Sequence, residues 1–159
     1  MITSMVHRTA AAKLDRILSE GLKVDMPLAL TDCGPWAQIW YEMNPVFLSL
    51  PGSRFLDAHG QEGAMLAVMV DGIDLVADLP SLCDMGGKVD DGIIWWKRGR
   101  EPAELLEFLD EYGGIEIEHL LDAKTDACAA AIQTTRTSAV LMDISPSRIT
   151  LLKVGEFTV

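Results

Sequence analysis

Cysteine is scarce in this chain and badly placed for cross-linking. Cys33, Cys83 and Cys128 are odd in number, far apart and free of any Cys-x-x-Cys pair, so neither a disulfide framework nor a thiolate zinc site organises the fold. Positive charge is also short: 13 Lys and Arg stand against 24 Asp and Glu, a formal net charge of −11. A field of that sign repels polyphosphates, and no basic cluster exceeds Lys97-Arg98-Gly99-Arg100, so nucleic acid is not an expected partner. Long apolar runs are missing, and Met1 to Arg8 lack a charged region followed by an apolar one. No membrane span or leader is therefore expected, and the reading is cytoplasmic. The phosphate-cradling Gly-x-x-x-x-Gly-Lys-Ser/Thr loop, the Gly-x-Ser-x-Gly elbow and His-Glu-x-x-His are absent as well. Asp71, Asp74, Asp78, Asp90 and Asp91 do not space themselves as a calcium loop; they read as turn and solvent residues, and no metal is expected.

What is present is enough apolar sequence to fold. Hydrophobic residues are 49% of the chain and charged ones 23%, which excludes disorder, and the length suits one domain over residues 1–159. Met5 to His7 reads as a short strand feeding a helix from about Ala10 to Glu20. In that helix Leu14, Ile17 and Leu18 recur at helical spacing, Thr9 is the expected N-cap, and Gly21 and Leu22 the expected Schellman end. Pro35 to Met43 suits a short helix and Pro45 to Leu50 a strand. Ala64 to Val70 reads as a strand buried on both faces, turning at Asp71-Gly72 into a second strand over Ile73 to Ala77. A further strand, Gly-Ile-Ile-Trp-Trp, lies within Asp90 to Lys97, where only one of the two tryptophans can be covered if one face is exposed. Pro102 to Tyr112 is expected as a helix, Ile115 to Glu118 as an alternating strand, Asp122 to Gln133 as an Ala-rich helix, and Ser138 to Ile144 and Arg148 to Val154 as strands. Strands outnumber helices and lie close together, which predicts an α+β fold with mostly antiparallel, twisted sheets and a few flanking helices, not a doubly wound parallel one.

Three segments in order carry a resemblance. His7-Arg8-Thr9 at a strand end is followed by a helix closing on Ile17-Leu18-Ser19-Glu20-Gly21-Leu22. Then comes the strand Val46-Phe47-Leu48-Ser49, and late in the chain Ala139-Val140-Leu141-Met142-Asp143-Ile144-Ser145-Pro146. Together they cover about a third of the chain, and the set resembles the ADP-ribosyltransferase-like superfamily in its small stand-alone bacterial and phage members.

The resemblance implies split, twisted sheets that grip NAD as substrate, cleave its nicotinamide–ribose bond and pass ADP-ribose to a protein acceptor, as toxins and phage effectors of this kind do. It implies His7, with Arg8 and Thr9 beside it, as the first-strand position that fixes ribose or phosphate. Ser49 takes the second-strand position, and Trp36 and Tyr41, with Trp40, form a wall over nicotinamide. The late acid is expected at Asp143, because the strand before it holds none; Gln133 is the neutral alternative. A carboxylate there steadies the oxocarbenium-like centre left by nicotinamide, whereas an amide keeps binding and loses rate. Two other readings stand beside this one: a catalytically degenerate member that works by binding, and an acidic interaction or inhibitor protein that docks on a basic surface.

Overall fold

The computed structural model describes residues 1–24, 45–51, 53 and 62–156. Among these residues, eight strands fall into two antiparallel sheets. The larger runs in the order β7 (Thr137–Val140), β2 (Val46–Ser49), β1 (Ser4–Thr9), β3 (Glu62–Met69), β8 (Ile149–Glu156); the smaller is β4 (Lys88–Asp90), β5 (Ile93–Trp95), β6 (Gly114–Glu116). Four α-helices among the described residues, α1 (Leu14–Glu20), α2 (Leu79–Asp84), α3 (Ile117–Leu120) and α4 (Asp126–Thr135), complete a mixed α+β fold. Met5, Leu48, Leu66 and Val68 from the large sheet join Leu82, Ile94, Leu105, Leu120 and Ile132 in one hydrophobic cluster, so both sheets close over a common apolar interior.

Local sequence explains several elements directly. Asp91 and Gly92 both take positive φ, 52° and 75°, the geometry that turns β4 tightly into β5. Thr125 caps α4 by accepting from the Cys128 N–H, and Arg136 ends it in the left-handed conformation. Trp96 is buried while Trp95 keeps part of its surface, as a strand with one covered face requires.

Elsewhere long-range pairing overrides the local signal. Residues 73–77 do not form the expected hairpin strand: β3 already has β1 on one edge and β8 on the other. Val76 instead exchanges two backbone hydrogen bonds with Ala139, and Arg148 occupies the Met69 and Asp71 carbonyls at 3.1 and 2.8 Å. Nor is β3 buried on both faces, since Leu66 and Val68 are covered and Met69 is 52% exposed. The helix expected from Pro102 to Tyr112 is a 3-10 segment over Ala103–Phe108. It stops because the Asp110 carboxylate accepts from the Tyr112 and Gly114 N–H groups, an alternative to helical bonding that aspartate readily offers. Similarly, the alternation at Ile115 to Glu118 ends at Glu116, because α3 begins at Ile117, and the strand expected to reach Ile144 stops at Val140.

At the first helix, Thr9 belongs to β1 and is not the N-cap; Ala10 leads a 3-10 turn over Ala11–Lys13 that runs into α1. Gly21 does end α1, but the Leu22 N–H bonds the Ile144 carbonyl at 2.9 Å and does not turn back into the helix, so the Schellman closure is replaced by a bridge to the late segment. The expected helix over Pro35 to Met43 lies outside the described residues.

Candidate functional site

Register decides which candidate residues share a face. Val6 pairs with Ser49, and antiparallel partners point the same way, so His7 pairs with Leu48 and lies on the opposite face from Ser49. Because Leu48 pairs with Ser138 and His7 with Leu66, one row across the sheet reads Ser138, Leu48, His7, Leu66. The other face carries Val6 and Arg8 on β1, Phe47 and Ser49 on β2, and Thr137 opposite Ser49 on β7. The structure thus brings Arg8 to the face of Ser49 and takes His7 and Thr9 to the other.

His7 is partly buried, and its Nδ1 sits 2.9 Å from the Phe47 carbonyl oxygen, which fixes that nitrogen as the protonated one in the neutral ring. Burial depresses its basicity below the ordinary value of 6.5; the Phe47 bond opposes this and Lys13 adds to it. The sign follows: the unfolded chain takes up the proton first, so the stability His7 confers is present above pH 6.5 and lost as pH falls through the depressed folded value. We expect the His7 ring to titrate below 6.5 by NMR, and His7→Gln to flatten the loss of stability on acidification towards pH ~5. An unshifted titration removes this account of the ring.

Asp143 stands half-exposed where the end of the α1 segment meets the chain after β7. Its carboxylate accepts from the Val24 N–H at 3.1 Å and pairs with Lys23 at 3.5 Å, which ties the end of the α1 segment to the chain after β7. It lies six residues beyond Thr137, the residue opposite Ser49, and past the end of the strand. Gln133 accepts from Arg136 at 3.0 Å and lines a separate cavity of about 600 Å³ with Cys128. Burial pushes the Cys128 thiol up to about 11, so it offers no thiolate nucleophile near neutrality. Trp36, Trp40 and Tyr41 lie outside the described residues, as does Cys33.

The residue that sequence reasoning misplaced is Asp78. It was expected in solvent, yet it is 6% exposed and lines a cavity of about 240 Å³ together with Ser49, Ser81, Asp84 and Thr137. Its burial follows from capping: Asp78 is the N-cap of α2, accepting from the Ser81 N–H at 3.1 Å and the Ser81 hydroxyl at 2.7 Å. Asp-Leu-Pro-Ser is itself a helix-start signature, with proline in the first turn, and was the available signal. Thr137 Oγ1 faces this carboxylate without a hydrogen bond of good geometry.

Desolvation raises the Asp78 pKa above 3.8; the stability tied to its protonated form is present below 3.8 and lost as pH rises through the raised folded value. Asn keeps the capping acceptor without the charge. Asp78→Asn is therefore expected to be at least as stable as the parent at neutral pH, while Asp78→Ala loses about 1 kcal/mol through the cap. Denaturant titration of the two variants checks the order, and equal losses in both contradict it.

No group of three or more His, Cys, Asp or Glu able to hold a metal occurs among the described residues, and none of their helices is long and apolar enough to cross a membrane. Comparison with protein-family models, with curated proteins and with solved structures finds no match to this chain.

Proposed function

We propose that this chain is a binding protein with an ADP-ribosyltransferase-like arrangement that lacks the transfer step, and that it acts by docking on a basic protein partner. The observation that carries this reading is the row at His7. Its neighbours on the same face are Leu48 and Leu66, and the late strand contributes Ser138, whose hydroxyl donates to the Val76 carbonyl at 2.9 Å. No carboxylate stands in that row. Losing one preorganised electrostatic contact to a developing charge costs on the order of 3 to 4 kcal/mol, or about 10² to 10³ in rate. The net charge of −11 favours association with a basic surface and opposes association with another polyanion.

A second reading, NAD-dependent transfer to a protein, is favoured by the cavity that holds both Ser49 and Asp78. Arg8 would replace His7 as the first-strand group and Asp78 would supply the acid. Against it, both Asp78 oxygens already bond Ser81 and burial favours the neutral acid, whereas a cationic transition state needs a free carboxylate. Nicotinamide release from NAD by the full chain separates the two: the binding reading expects none above buffer, and release above buffer supports the second.

A further inference from the structure

We infer that the groove between residues 70–76 and α4 is the docking site, and that its occupant is a basic, amphipathic polypeptide segment of a partner protein. The inference rests on the binding reading above and gives it a place and a chemistry. Two cavities, of about 600 and 520 Å³, lie side by side and share Asp74 and Ala123 in their walls. Each falls in the size range that accepts several apolar side chains. The first is floored by Ile73, Leu75 and Ile132, the second by Val76, Leu141 and Met142. Met142 is 53% exposed, and its flexible thioether suits a surface that must adapt to a ligand.

Charge selects the occupant. Asp71, Asp74, Glu118 and Asp122 rim the groove, and among the described residues of its lining the cations are Lys124 and the α-ammonium of Met1. Asp71 has a distant partner in Arg148, at 3.7 Å; Asp74 and Glu118 have no ion pair among the described residues. An apolar floor inside an acidic rim matches a segment that carries apolar residues on one side and Lys or Arg on the other, the pattern of groove-bound amphipathic peptides. A second copy of this chain would bring its own charge of −11 against the same rim, and an anionic lipid surface or nucleic acid would be repelled likewise.

The test titrates the full chain into a fluorescent synthetic peptide of Leu and Lys at helical spacing, followed by anisotropy. Two control peptides replace Lys by Glu and Leu by Ser. Only the Leu/Lys peptide is expected to bind, with affinity falling as salt rises. Asp74→Lys combined with Glu118→Lys is expected to weaken it at least about tenfold, while Asp90→Lys with Glu104→Lys, the same charge change at exposed residues outside the groove, leaves affinity within about twofold. No binding of the Leu/Lys peptide, equal binding of the Ser/Lys peptide, or equal losses in both double variants would overturn the inference. None of these residues lines the cavity of Ser49 and Asp78, so failure here is distinct from failure of the binding reading, which shows as NAD turnover.

Discussion

Gly21→Ala loses about 3 kcal/mol or more of folding stability, one of the two largest effects expected in this chain. Gly21 adopts φ 86° and ψ −174°, a region open in practice to glycine alone. Strain is only part of the cost. A Cβ at this position would overlap the Ile144 carbonyl oxygen and press on Pro146. That same carbonyl accepts the Leu22 N–H at 2.9 Å, and the Ile144 N–H donates back to the Leu22 carbonyl at 2.8 Å. The methyl group must therefore strain the backbone and also part the bridge that fastens the end of α1 to the segment after β7. Denaturant unfolding is expected to show a lower midpoint with an unchanged slope. A loss under about 1 kcal/mol would mean that Ile144 does not lie against Gly21.

Leu66→Ala is expected to cost about 3 to 4 kcal/mol. Leu66 is fully buried and sits on β3 between His7 of β1 and Leu151 of β8, so truncation empties space that rigid strands on both sides cannot refill. Met69, on the same strand but 52% exposed, is the control: Met69→Ala should stay within about 0.5 kcal/mol. Comparable losses at the two positions would contradict the burial alternation along β3.

That alternation marks how far the sequence reading reached. Elements whose signals are local were legible: β1, the Gly21 end of α1 and the Ala-rich α4 all depend on periodicity, positive φ or capping within a few residues. The α+β class followed from the density of strands. What was not legible depends on partners far along the chain. Residues 73–77 carry a hairpin signal, yet β3 had no free edge and Val76 found Ala139 instead. The exception is local: Asp110 ended the expected helix by accepting the N–H groups of Tyr112 and Gly114 just beyond it.

The candidate site was less legible still, for a geometric reason. The one-residue offset that puts Ser49 opposite Val6 sends His7 and Ser49 to different faces, and register between strands forty residues apart cannot be read from either strand alone. Asp143 looked free in the sequence because its partners, Val24 and Lys23, lie near the other end of the chain. Asp78 was set aside as a solvent residue, although its capping signature was in view.

Nicotinamide release from NAD, followed by chromatography over an extended incubation with the full chain, tests most directly whether the chain binds without transferring. The account predicts release no faster than in buffer, for the parent and for Asp78→Asn alike, because the His7 row holds no carboxylate and the Asp78 carboxylate is tied to Ser81. Release above buffer that Asp78→Asn abolishes would contradict it.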